Sequence, residues 1–240
     1  MIVSGKISVK AIIENKKREI KRVILLKDMR NKDVAYILRI ANGMRIDYLS
    51  REEIDRLADN TSHGGYAIEC GKRISDSIQT LDHDKNLALM CVEGLRDPFN
   101  LGEVLRTVHS LGFDGVISSD YDFYVHEAKL IRASAGASEK LWWLQSEDVA
   151  QDLNKIKQLD VRMIAAHRDD KSTSLQNYVI PKRSCFVLGG ALRGLSRVVR
   201  DSCDDTVRID YNAKTSLSTV GACTVFAYES FRQRGGHHED

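Results

Sequence analysis

Proline is scarce in this 240-residue chain, with two in all, and so are the marks of a secreted or membrane-bound protein. Two prolines leave little material for long Pro-rich linkers. No apolar run reaches the roughly 18 residues that a membrane span needs. The opening residues, MIVSGKISVK, lack the apolar core of a signal peptide. The five cysteines, Cys70, Cys91, Cys185, Cys203 and Cys223, are odd in number, form no CxxC pair and lie mostly in apolar runs. They read as reduced thiols of a cytoplasmic protein rather than as a disulfide frame. His63 and Cys70 lack partners at zinc-ligand spacing, and His237 and His238 fall in a polar tail, so no metal is expected. A large charge of one sign is missing too, since 36 Lys and Arg face 34 Asp and Glu. What remains is 42% hydrophobic and 29% charged, which suits a soluble globular chain of one or two domains.

The near-neutral total hides an asymmetry. Residues 1–73 carry 16 basic and 10 acidic side chains, net +6, and the remainder carries 20 against 24, net −4. A basic first third suggests contact with a polyanion. Its densest piece is KKREIKR, which holds Lys16, Lys17, Arg18 and Arg22.

Hydrophobic periodicity predicts a small domain over 1–73, a linker over the polar stretch 74–86 and a larger domain over 87–240. The first part reads as a helix over 7–14, a strand over 20–26 and a helix over 31–42, capped by Asn31 and stopped by Gly43. A strand over 46–49, a helix after Ser50 with Glu53 at the capping-box position, and a strand over 66–70 follow. The larger part opens on the apolar strand LALMCVE (87–93), alternates helices and strands, and closes on a helix over 217–234. The expected class is α/β, with a parallel sheet covered on both faces in the larger domain. The pair Trp142–Trp143 is expected to pack rather than to stack on a base.

Three segments of the larger domain could carry chemistry. In EGLRDPFNLGEVLRTVHSLGFDGVI (93–117), Asn100 sits at a helix start, where it can cap or face a ligand, and Arg106 is expected near its side of the helix. In CFVLGGALRGLS (185–196), glycines between a strand and a helix let a ligand approach the backbone. The string comes near a P-loop, but Leu195 stands where a lysine would hold phosphates, and the glycine spacing is not that of a dinucleotide site. In VRIDYNAKTSLSTVGACTVFAYESFRQR (207–234), small residues including Ser216, Ser218, Thr219, Gly221 and Ala222 gather at the start of the last helix. They allow either close packing or exposed amides.

In order and spacing the three segments resemble motifs 1, 2 and 3 of the SpoU (TrmH-type) RNA ribose 2′-O-methyltransferases of the SPOUT superfamily, over about residues 86–234. Residues 1–73, ending in TSHGGYAIEC, resemble the RNA-binding N-terminal domain that many such enzymes carry. The resemblance implies a trefoil-knotted α/β domain that acts as a homodimer and binds S-adenosylmethionine in the knot. Its activity would be methylation of a ribose 2′-hydroxyl, in ribosomal RNA first and transfer RNA second. Asn100, Arg106, Ser216 and Ser218 would be the catalytic positions. Leu188, Gly189, Gly190, Ile209 and Leu217 would line the methyl-donor site, largely through backbone groups. Arg106 would remove the 2′-hydroxyl proton or hold the target phosphate, and Lys16, Lys17, Arg18 and Arg22 would meet RNA. Some positions depart from the family pattern. Ala191 and Leu192 replace a Glu-Gly step in motif 2, Ser218 replaces the motif 3 asparagine, and Asp210 replaces a proline. These departures leave a second expectation, an RNA-binding assembly factor on the same fold.

Overall fold

The run IKRVILL folds as strand β2 (Ile20–Leu26), and its alternating side chains sort the first unit into layers. Val23 and Leu25 join one cluster with Ile12, Ile37 and Ile68, whereas Ile24 between them packs with Ile54 and Ala67. That period of two is what a strand between two helical layers requires. In the computed structural model, which describes all residues except 82–85, 122–125, 191–192, 213–214 and 236–240, β2 lies inside a four-stranded sheet of order β1-β4-β2-β3. Its partners are β1 (Ile2–Ser4), β3 (Ile46–Leu49) and β4 (Tyr66–Cys70). Strand β4 is antiparallel to β1 and β2, and β3 is parallel to β2. The departures at Ala191 and Leu192, and His237 and His238, lie outside the described residues.

Helices α1 (Lys6–Asn15), α2 (Lys32–Ile40) and α3 (Arg51–Ala58) connect these strands. The Val34 amide donates to Asn31 Oδ1 at 2.8 Å, and Ser50 with Glu53 closes a full capping box. Helix α2 ends at Ile40, and Gly43 takes φ 82° in the turn beyond it. Strand β1 carries no periodic signal because three residues are too few for one; pairing with β4 makes it a strand.

This compact unit comprises Met1–Ile74 together with Asp122–Lys140. The second stretch supplies α5 (Glu127–Ala133) and α6 (Ala137–Lys140), and Ile131 enters the same core as Ile12 and Val23. Here the expected RNA contact of Arg18 is corrected. Arg18 is 5% exposed. Its Nε and Nη2 each bond to a Glu139 carboxylate oxygen at 2.9 Å, and Nη2 also lies 2.9 Å from Glu127 Oε1. Burial opposes the Arg18 charge, but the bonds to Glu139 and Glu127 outweigh it and raise the pKa. Arg22 is half-buried and bonded to Glu69 at 2.6 Å and Asp47 at 2.8 Å.

The second unit comprises Ser75–Tyr121 and Leu141–Asp240. Its seven strands are all parallel, in the order β7-β6-β5-β10-β8-β11-β9. They are β5 (Leu87–Glu93), β6 (Gly115–Ser119), β7 (Trp142–Ser146), β8 (Arg162–Ala166), β9 (Thr173–Ser174), β10 (Arg183–Gly189) and β11 (Asp205–Arg208). Helices α4 (Pro98–Ser110), α7 (Val149–Lys157), α8 (Arg197–Asp201) and α9 (Thr219–Gln233) complete it. The near-continuous burial of β5 and β10 follows from helices on both faces. On one face Phe186 meets Phe226 of α9, with ring centroids 5.2 Å apart. On the other, Cys185 and Val187 join Leu153 and Ile156 of α7.

Trp143 is fully buried and donates to Ser118 Oγ at 2.9 Å. Trp142 donates to the Ser77 carbonyl at 3.1 Å and to Thr80 Oγ1 at 3.0 Å. Both tryptophans therefore pack. All five cysteines are free; burial pushes Cys70 up to about 11, and Cys203 and Cys223 to about 12, so these thiols stay protonated. Among the described residues no helix is long and apolar enough to cross a membrane.

Candidate functional site

Strand β10 ends on Gly189, and from Gly190 the backbone turns back on itself. Gly190 and Gly194 form an antiparallel bridge, and the Gly194 amide donates to the Gly190 carbonyl at 2.9 Å. A Cβ on Gly189 would lie 2.0 Å from the Gly194 carbonyl carbon and 2.1 Å from the Leu195 nitrogen; one on Gly190 would lie 2.9 Å from the Gly94 oxygen. Only residues without side chains allow this approach. Thr219, in the first turn of α9, donates to the Gly189 carbonyl at 3.1 Å.

Beside this turn, the carboxyl ends of β8, β10 and β11 and the start of α9 line a cavity of about 350 Å³. Ligand sites run from roughly 300 to 1,000 Å³, and in open α/β sheets they favour this edge. Leu188, Gly189, Gly190, Ile209, Ser216 and Leu217 all line it. Leu217 stays 44% exposed. At the rim the Arg168 guanidinium lies 5.0 Å from the centroid of the Tyr211 ring. Hydrogen bonds from Ser216 and from Arg168 hold the Tyr211 phenol below its ordinary pKa. Among the described residues no group of His, Cys, Asp and Glu could hold a metal ion.

A model of the SpoU rRNA methylase family matches residues 86–228. The chain belongs to the SpoU rRNA methylase family. A second model, for RNA 2′-O ribose methyltransferase substrate binding, matches residues 2–73. A relative from Bordetella pertussis, the 23S rRNA (guanosine-2′-O-)-methyltransferase RlmB, is 29% identical over 98% of both chains. The SpoU methyltransferase AviRb of Streptomyces viridochromogenes has the same fold, with a TM-score of 0.80 at 18% identity over 98% of this chain and 89% of that one. An AdoMet-bound rRNA methyltransferase from Sinorhizobium meliloti is similar in fold, with a TM-score of 0.79 at 18% identity over 97% and 87% of the two chains.

In this SpoU chain the motif 1 residues stand apart from the cavity. Asp97 caps α4, accepting from the Asn100 amide at 2.8 Å, and Pro98 takes the first turn. The cap is therefore Asp97 and not Asn100. Asn100 and Arg106 are both exposed on α4, and neither lines the cavity. Six residues apart in one helix, they stand about 120° from each other round its axis, which corrects the expectation of a shared side. Ser218 caps α9, accepting from the Gly221 amide at 3.0 Å, and also lies outside the lining. Lys16, in the left-handed cap of α1, is exposed, and Lys17 is half-buried.

Sequence reasoning did not single out His167, Arg168, Tyr211 or Phe226, all of which line the cavity. Thr219 and Ala222 were visible as part of the small-residue cluster. Arg168 follows β8 in a polar loop, and nothing in its local pattern separates it from any other surface arginine.

Proposed function

We infer that this SpoU protein is an S-adenosylmethionine-dependent RNA methyltransferase acting on a ribose 2′-hydroxyl, with ribosomal RNA as the first substrate class and transfer RNA as the second. The observation that carries this reading is the cavity lined by Leu188, Gly189, Gly190, Ile209, Ser216 and Leu217. Its chemistry fits a nucleoside donor: the glycine turn brings backbone groups into the lining, and Ile209 and Leu217 offer apolar surface to a purine face. When bound, the donor supplies an electrophilic methyl group carried on a sulfonium. RNA is the acceptor because the 2′-hydroxyl distinguishes it from DNA.

The chain's own residues then have separable tasks. Leu188, Gly189, Gly190, Ile209 and Leu217 bind the donor. Ser216 sits in the same wall and orients the acceptor. Asn100 and Arg106 come from α4 of a second copy in a homodimer and complete the site. The guanidinium of Arg106 holds the target phosphate as a planar fork, so that its contribution is positioning. Residues 1–73 capture RNA, the second unit forms the knotted catalytic domain, and the protein works in the cytoplasm.

Calorimetric titration tests the reading. Wild-type protein should bind S-adenosylmethionine in the micromolar range, and Leu217→Arg, which places a charged chain in the cavity, should abolish binding. Total RNA incubated with labelled donor should yield a 2′-O-methylated nucleoside. A folded wild-type protein that binds no donor even with RNA present would overturn the reading.

The RNA surface has its own test. Replacing Lys16 and Lys17 by Ala should weaken RNA binding uniformly across sequences. The slope of log affinity against log salt should fall by about one for each phosphate that is no longer neutralised. An unchanged slope would remove these two lysines from the interface.

A further inference from the structure

Arg168 follows β8 and stands exposed at the rim of the cavity. Its guanidinium lies over the Tyr211 ring, 5.0 Å from the centroid. Among the described residues no carboxylate lies within ion-pair distance of it. The other basic groups in the lining are already engaged. Arg208 pairs with Asp210 at 2.9 Å and donates to the Ser172 carbonyl, and a ring nitrogen of His167 faces Arg200 at 3.4 Å. Asp210, whose carboxyl also feels the Arg168 charge, is bonded to Arg208 at 2.9 Å.

Among the described residues the cavity wall thus carries one cation, Arg168, that is oriented by a ring and has no ion-pair partner. Stacking on an aromatic ring orients a guanidinium without cancelling its charge, and it leaves the N–H donors at the edge of the fork available to a ligand. Such a fork suits a carboxylate or a phosphate. A nucleoside methyl donor carries a single carboxylate, at the end remote from its purine. Arg168 lines the same cavity as Gly189 and Leu217, which favours the donor over an RNA phosphate as the source of the anion.

We propose that Arg168 binds the α-carboxylate of the methyl donor, and that Tyr211 is the positioning residue that holds the guanidinium at the cavity rim. The proposal rests on the donor reading of this cavity. It makes Arg168 a specificity determinant: it separates the complete donor from analogues that lack the carboxylate.

The experiment is a calorimetric titration of the full-length protein with S-adenosylmethionine and with its decarboxylated form. Wild type should bind the complete donor at least about tenfold more tightly, the scale of a charge-assisted hydrogen bond. Arg168→Gln should lose that preference by weakening only the complete donor. Arg168→Lys should recover part of it, since lysine keeps the charge without the fork. Tyr211→Leu, which removes the ring under the guanidinium, should give an intermediate loss confined to the complete donor.

Wild type that binds both compounds equally, or Arg168→Gln that weakens both by the same factor, overturns the Arg168 assignment and leaves the donor reading standing. Arg168→Gln that binds the donor normally but loses RNA affinity and salt dependence moves Arg168 to a phosphate, and also overturns it. Wild type that binds neither compound overturns both readings.

Discussion

Gly189→Ala should abolish donor binding while leaving most of the sheet folded. The added methyl group would fall 2.0 Å from the carbonyl carbon and 2.4 Å from the oxygen of Gly194. These are backbone atoms, so no rotamer change relieves the clash. Either the end of β10 or the turn after it has to move. Gly189 pairs with Glu93 of β5, and its carbonyl accepts from Thr219 at 3.1 Å, so movement would propagate into the neighbouring strand and the start of α9.

Overpacking typically costs about 1–3 kcal/mol, and a backbone clash belongs at or above the upper end. That corresponds to a fall in Tm of roughly 2–4 °C per kcal/mol for a unit of this size. The functional loss should be larger than the stability loss, because a misplacement of about 1 Å in a binding wall can cost about a hundredfold. Gly194→Ala is the control. Gly194 has φ 63° but open space around its missing Cβ, so it should show only backbone strain of about 1–3 kcal/mol. Circular dichroism, thermal unfolding and calorimetry together check the order. A Gly189→Ala protein that binds donor as tightly as Gly194→Ala would contradict the geometry of the turn.

The second large effect belongs to the first unit. Arg18→Ala should destabilise it by about 3–5 kcal/mol, the usual cost of leaving a buried charge without its partner. Glu139 is fully buried and Glu127 nearly so, and both lean on the same guanidinium. The Arg18 contact is to Glu127 Oε1, and Glu127 Oε2 has no hydrogen-bond partner among the described residues. Removing Arg18 would thus take its guanidinium from two buried carboxylates, whose bonds from the Arg73 amide and the Ser138 hydroxyl carry no formal charge. Adding Glu139→Gln should restore part of the loss, because a neutral amide tolerates burial better than an unpaired carboxylate. Urea unfolding of the single and double variants measures this, and a single variant with wild-type stability would show that the pair contributes little.

The contrast with Lys16 is informative. Replacing Lys16, which is exposed, should change RNA affinity and leave stability alone. Replacing Arg18, two residues away, should do the reverse.

That contrast marks how far the sequence could be read. KKREIKR is one basic run as a string, and its composition reports only the sign of the charge. Arg18 leaves the surface because Glu139 meets it from 121 residues away in the chain, a separation no local pattern encodes. The capping box at Ser50 and Glu53 was legible because it involves four consecutive residues and the physics of one helix end. The buried strands β5 and β10 were legible because their apolar runs lie between turn signals. Strand β1 was not, since three residues carry no period and its pairing with β4 decides its state.

The site divides the same way. The Gly189–Gly190 step and the small residues before α9 announced a close backbone approach, because a missing side chain is visible in any sequence. Asn100 and Arg106 were visible too, but not their separation from the cavity. The order β5-β10-β8-β11 in the sheet brings Gly189, Arg168, Ile209 and Leu217 to one edge, although β8, β10 and β11 are not adjacent in that order along the chain.

By itself, then, the sequence determined the types of the elements, the need for glycine at the β10 turn and membership in a methyltransferase family, because caps, periods and glycine requirements are interactions within a few residues. The tertiary structure alone decided which arginines face solvent, that residues 127–140 pack with the first unit, and which side chains share the cavity. Those outcomes depend on burial and on strand order, which are set by contacts between segments far apart in the chain.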